Sequence, residues 1–183
     1  MPIERLTTKR LIVRRLFPED AADVQRLAGD WEVARTLARV PHPYEDGMAE
    51  RWIESVSNGF ETGESYVFAI ERRRDARFLG IISLERGDGG EYMLGYWLGR
   101  PYWRHGYMSE AAMRVLRFGF EECDMTRIVA TAQPTNLASI AVLTKLGMIV
   151  QGRAIKDLPA RGERLQVVLF ACDREIDATN ACG

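Results

Sequence analysis

A mixed α+β domain is predicted by a change of hydrophobic period along one chain of 183 residues. Its middle carries three aromatic and β-branched runs, YVFAIE (66–71), FLGIISLE (78–85) and YMLGYWL (92–98). The turn-rich RRRDAR and RGDGGE join them at hairpin spacing, which reads as an antiparallel meander. On both sides of that meander the apolar residues recur at helical spacing instead.

The first strand is RLIVRRL (10–16), and Pro18 then opens PEDAADVQRLAG, whose acidic first turn and terminal Gly29 suit a helix. DGMAERWIESVSNGF (46–60) predicts a second helix, with Met48, Trp52, Ile53 and Val56 on one face and Asp46 able to cap. The meander follows. Ala112, Val115, Leu116, Gly119, Phe120 and Cys123 then mark a long helix that begins at Ser109 or close to it. RIVATAQ (127–133) is a buried-type strand, and NLASIAVLTKLG (136–147) is a short helix with Asn136 as N-cap and Gly147 as its stop. RLQVVLFAC (164–172) is the last strand before a polar tail. The order βαα, βββ, αβα, β(β) shows no repeat and no linker, so residues 1–173 are expected to form one domain, with 174–183 as a tail.

With 46% hydrophobic and 28% charged residues, the chain is too apolar for disorder. Its 25 Lys and Arg against 26 Asp and Glu lack the basic excess of a general nucleic-acid binder, so no direct nucleic-acid binding is expected. Cys123, Cys172 and Cys182 are odd in number and form no metal-type pair, which argues against a disulfide framework or a zinc site. Neither a signal-peptide core nor a run approaching the ~20 apolar residues of a membrane span occurs. A cytoplasmic protein without metal or membrane attachment is the expectation.

Chemistry concentrates in two places. In PYWRHGYMSEA (101–111) a strand end, a Gly-containing turn and a helix start leave main-chain N–H groups at the positive end of a helix dipole. Gly106 allows close approach to an anion, and Arg104 and His105 add charge. A plain tight turn with two solvated side chains is the alternative. RGDGGE lies between strands, where a hairpin turn explains it, and no nucleotide-phosphate loop of the familiar kinds occurs. The second place is the start of the helix at Asn136, with Ser139 in its first turn. Alone it reads as a simple cap; together the two helix starts could converge on one elongated anionic ligand.

GYWLGRPYWRHGYMSEA followed by NLASIAVLTKLGM resembles the GCN5-related N-acetyltransferases (GNAT), in particular the branch that acetylates the N-termini of ribosomal proteins. The resemblance spans most of the chain, from TKRLIVRRL and LGIISL to the final strand. It implies a mixed, twisted sheet of about seven strands, splayed between the fourth and fifth, with helices on both faces and acetyl-CoA in the splay. Carried over, the main chain of Arg104, His105, Gly106, Tyr107, Met108 and Ser109 would hold the pyrophosphate. Leu98 would offer its backbone to the thioester or pantetheine, Asn136 would contact the pantetheine arm, and Ser139 would lie near the sulfur. Trp103 and Met108 stand where the pattern has Gln or Arg and a small residue, and Met108 could narrow the turn. Leu143 takes the place of a frequent proton-donating Tyr, which leaves Ser139 as the candidate acid, and Gln166 stands where Asp is frequent.

The implied reaction is attack of a neutral amine on the thioester, with a backbone N–H on the developing oxyanion. Deprotonating a Lys side chain near pKa 10.4 costs roughly 4–5 kcal/mol at pH 7, whereas an α-amine near 7.7–8.0 costs about 1–1.5. Glu91, sharing the parity of Met93 and Gly95, is the first candidate base and Glu85 the second; solvated hairpin-end carboxylates are the alternative for both. Trp31, Tyr44, Trp52 and Phe60 are expected in the segment roofing the acceptor groove. A protein N-terminal α-amine or a small-molecule amine is the expected acceptor, and the resemblance leaves room for a homodimer. A CoA-binding module that has lost transfer is the competing function.

Overall fold

The computed structural model describes residues 5–87, 89–158 and 162–174. The expected tail therefore lies outside the described residues apart from Arg174. In chain order the strands are β1 (Arg5–Thr7), β2 (Leu11–Arg15), β3 (Ser65–Arg72), β4 (Arg77–Arg86), β5 (Tyr92–Leu98), β6 (Arg127–Ala132), β7 (Ile149–Leu158) and β8 (Glu163–Asp173). The helices are α1 (Ala21–Ala28), α2 (Trp31–Ala34), α3 (Met48–Val56), α4 (Gly59–Thr62), α5 (Tyr107–Arg117) and α6 (Leu137–Lys145). Among the described residues eight strands form one sheet in the order β1-β2-β3-β4-β5-β6-β8-β7. β1, only three residues long, is the strand beyond the expected seven.

Side-chain parity assigns the two faces. Val67, Ala69 and Ile81 point to α1 and α3, while Phe68, Ile70, Ile82 and Leu84 point to the side of α5 and α6. Phe68 and Phe118 are fully buried and meet edge to face at 5.5 Å, each contributing about 1.5–3 kcal/mol by burial. On β2, the Arg14 guanidinium donates to both Asp20 oxygens at 2.8 and 2.9 Å and to Glu71 at 2.9 Å. Asp20 also accepts the Phe17 N–H at 2.9 Å. This network ties the entry of α1 to the sheet.

Several local expectations change. Gly47, at φ +78°, is the residue that caps α3, and Asp46 instead accepts from Gln25 Nε2 at 2.5 Å. The buried face of α3 is Ala49 and Ile53, with Trp52 and Val56 beside them. Phe60 packs edge-on against Tyr66 and Phe68 in the α5-side core, so it does not roof the opposite face. The long helix starts at Tyr107, close to Ser109 as expected, and after Arg117 it widens into a π turn at Phe118–Glu122. There Cys123 N–H bonds to the Phe118 carbonyl, one residue more than an α-helical turn, while Phe118 itself is fully buried in the core.

Candidate active site

The site follows from where two parallel strands stop pairing. Gly99 N–H donates to Leu79 C=O and Gly87 N–H to Glu91 C=O, both at 2.8 Å. With Gly80 opposite Leu98 in the antiparallel ladder, the odd-numbered residues of β5 share their main-chain bonds with β4. The main chains of Tyr92, Leu94, Tyr96 and Leu98 consequently face β6. Pairing with β6 runs through Tyr92–Ile128, Met93–Val129 and Leu94–Ala130 and ends there. Beyond it β5 stays on β4, whereas Thr131 and Ala132 stay on β8, so a wedge opens between the strand ends. Tyr96 and Leu98 line one edge. α5 follows β5 and α6 follows β6, which brings both helix N-termini to the mouth of this wedge.

At the first of these, Arg104 (φ +62°) and Gly106 (φ +74°) turn the chain in left-handed conformations. Gly106 is the N-cap of α5, and no side chain caps the helix. The first intrahelical bond is Glu110 N–H to Gly106 C=O, so the N–H groups of Tyr107, Met108 and Ser109 point outward without an intrahelical partner. Met108 is buried in the core and leaves the turn unobstructed, contrary to the narrowing expected from its size. His105 and Arg104 are exposed; the His105 ring stacks on Tyr107 and its Nδ1 meets the Trp103 carbonyl at 2.7 Å. Trp103 donates its indole N–H to the Leu98 carbonyl at 2.8 Å, fastening the turn to the strand end. Thus the main-chain oxygen of Leu98 is already engaged, and its N–H is the group turned to the wedge.

Arg10, not foreseen in this role, braces the turn. Its guanidinium lies 4.6 Å from the Tyr107 ring centre and donates to the His105 carbonyl at 3.0 Å and to Glu110 at 2.6 Å. Burial alone would push the Glu110 carboxyl up, but bonds from the Thr8 hydroxyl and from Arg10 more than offset it and hold the group below the usual carboxylate range.

At the second N-terminus Asn136 caps α6 as expected, its Oδ1 accepting from Ser139 N–H at 3.1 Å. Gly147, at φ +78°, follows the helix end. Ser139 Oγ lies 2.9 Å from the Tyr96 hydroxyl, which reaches it from β5 on the same side of the sheet as α6. Burial pushes the Tyr96 phenol up to about 12, against the downward pull of its bond to Ser139. Leu143 is fully buried. Nothing in the sequence singled out Tyr96, which reads as one more aromatic in an apolar strand.

The candidate bases lie on the opposite face. Ser83, opposite Gly95 in the ladder, is buried and donates to Glu85 Oε1 at 3.0 Å, while Arg39 donates to Glu85 Oε2 at 3.0 Å. A Cβ on Gly95 would come within 3.2 Å of Ser83 Oγ, so the glycine keeps β5 open above this pair. Glu85 pairs with Met93, three residues before Tyr96; Glu91 precedes β5, five residues or about 16 Å of strand before Tyr96. The structure brings Ser139 and Tyr96 together but places Glu91 outside that group. Trp31 lies against His42 at 5.1 Å, and Tyr44 and Trp52 pack beside α1 and α3 on this face. No group of three or more metal-binding side chains occurs among the described residues, and none of their helices is long and apolar enough to cross a membrane.

An uncapped helix start behind a glycine turn and a wedge edged by strand main chain suit the pyrophosphate and the amide-bearing arm of acetyl-CoA. The family described as acetyltransferase (GNAT) domain matches residues 10–149. YnaD of Bacillus subtilis, described as an uncharacterised N-acetyltransferase, is 30% identical over 86% of this chain and 90% of its own. The ribosomal protein uS5-alanine N-acetyltransferase of Escherichia coli is 27% identical over 93% of this chain and 91% of its own. Among solved structures, a GNAT-family acetyltransferase from Bacillus anthracis superposes with a TM-score of 0.80 at 25% identity, covering 94% of this chain and 99% of its own. RimL, a ribosomal α-N-protein acetyltransferase in complex with coenzyme A, shares the fold with a TM-score of 0.83 at 17% identity, over 95% of this chain and 100% of its own. Wedge, helix starts and relatives agree: the chain belongs to the GNAT acetyltransferases and is an acetyl-CoA-dependent N-acetyltransferase.

Proposed function

We propose that the protein transfers acetyl to a protein N-terminal α-amine in the cytoplasm. The observation that carries this reading is the pair of faces across β5, with a hydroxyl pair at the wedge and a positioned carboxylate, Glu85, on the other side. A carboxylate is a weak base, sufficient for an α-amine that costs about 1–1.5 kcal/mol to deprotonate at pH 7 and poorly matched to a Lys side chain. The uS5-alanine N-acetyltransferase among the relatives acts on an amine of that kind, which supports the choice.

Acetyl-CoA supplies an activated acetyl thioester when bound; the rest is done by this chain. The N–H groups of Tyr107, Met108 and Ser109, with Gly106 behind them, hold the pyrophosphate, and Arg104 and His105 add positive charge at the rim. The wedge-facing N–H groups of Tyr96 and Leu98 orient the arm and offer a donor where the acyl oxygen gains charge. Asn136 has its Oδ1 committed to the helix, so its amide N–H is the part that meets the ligand. Ser139 donates toward the sulfur. Glu85, oriented by Ser83, takes the amine proton directly or through water, and Glu91 serves the acceptor rim.

Kinetics with an alanine-initiated peptide test this assignment. Glu85→Gln is expected to lower kcat at least tenfold, within the range general-base groups supply, while Glu91→Gln stays near wild type. A loss confined to Glu91→Gln would move the base to that residue, and full activity in both would assign the proton to water.

A further inference from the structure

Tyr96 is bound to the one side chain of the wedge with an assigned proton-donor role, yet nothing in that role requires a tyrosine. Its phenol crosses from β5 to the first turn of α6, 2.9 Å from Ser139 Oγ and 3.3 Å from the Ser139 carbonyl. Asn136 already fixes the Ser139 main chain through its N–H. A serine hydroxyl has one hydrogen and rotates freely, so holding its backbone does not decide where that hydrogen points.

We infer that Tyr96 is a positioning residue for the acetyl transfer: it donates its O–H to Ser139 Oγ, so that the serine's own hydrogen is turned into the wedge, toward the departing sulfur. The inference rests on the placement of the sulfur beside Ser139 proposed above. When the amine nitrogen bonds to the acyl carbon and the carbon–sulfur bond breaks, the electron pair leaves on sulfur, and the Ser139 O–H donates a hydrogen bond to it. The proton lost by the amine goes to the carboxylate on the opposite face, so none has to leave Tyr96. Because the phenol titrates only near 12, it remains a donor throughout the working range. The pairing also accounts for a tyrosine on a strand whose neighbours Leu94 and Leu98 are simply buried.

The test is the ionisation of CoA bound to the protein, followed by the ultraviolet absorbance of its thiolate during a pH titration, and it needs no acceptor. A hydrogen bond to the charged form favours that form, so wild type should lower the thiol pKa of bound CoA. Ser139→Ala should abolish the shift, and Tyr96→Phe should remove at least half of it. The double variant should match Ser139→Ala, because the phenol acts only through the serine. A Ser139→Ala variant that binds CoA and keeps the full shift would refute the placement of the sulfur beside Ser139. An altered thiol in Ser139→Ala but not in Tyr96→Phe would overturn the inference while leaving that placement intact. A further change on adding Tyr96→Phe to Ser139→Ala would also overturn it, since the phenol would then act by another route.

Discussion

Asn136 and Ser139 show what single residues contribute to this site. The Asn136 side chain accepts from the Ser139 N–H, so one hydrogen bond both starts α6 and fixes the main chain of Ser139. Asn136→Ala should cost about 1 kcal/mol of stability, as the loss of an N-cap does, read by urea denaturation. It should also lower kcat, because Ser139 loses its support. Such caps are legible in sequence because their chemistry is local: Asn136, Gly106 and Gly147 stand where short-range rules put them. Tyr96 was not legible. Its partner is 43 residues away, and only the closing of β5 against α6 brings the two hydroxyls together. Asp46 failed for the converse reason: the adjacent Gly47 adopts a conformation suited to glycine and takes the capping position.

Between elements, the β1–β2 turn is joined to the start of α5. Thr8 and Arg10 converge on Glu110 from the turn, and Arg10 reaches on to His105. The Glu110 carboxyl is held low in the folded state, so the stability it adds is present above its unfolded pKa of about 4.3 and is lost as pH falls through the lower folded value. Glu110→Gln should therefore be less stable than wild type at neutral pH, and the difference should shrink as pH falls below about 4.3 and through the lower folded value, as thermal melts from about pH 7 down to about pH 2 would show. The existence of α5 was legible from its period, but its end was not. Phe118 and Gly119 are buried, and a Cβ on Gly119 would lie 2.9 Å from Ile128 and Met125 atoms. Phe120 and Cys123 still pack against the core, partly buried, so the period marked the face while the wider turn left no sign in the spacing.

For the molecule as a whole, the wedge is a consequence of sheet order. β5 is the last strand of an antiparallel run, β6 is drawn to β8, and the single parallel contact between them cannot continue along both. The three strands of the meander were legible because their alternation and turns are local, whereas the early end of β5–β6 pairing depends on what each strand holds on its far side. The two sheet faces then carry different groups, with the helix starts and the Ser139–Tyr96 hydroxyls on the α5–α6 side and Glu85 on the side of α1 and α3. Since the wedge belongs to the folded state alone, CoA at 100 times its dissociation constant should stabilise the protein by about 2.7 kcal/mol. A calorimetric melt with and without CoA reads that gain directly.

Thiol release from acetyl-CoA with two matched peptides tests the central claim most directly. One peptide has a free N-terminal alanine and no lysine; the other has a blocked N-terminus and an internal lysine. The protein should release thiol and acetylate the first, with little turnover of the second. Equal or greater turnover of the lysine peptide, or no release with either while CoA still binds, would contradict the account.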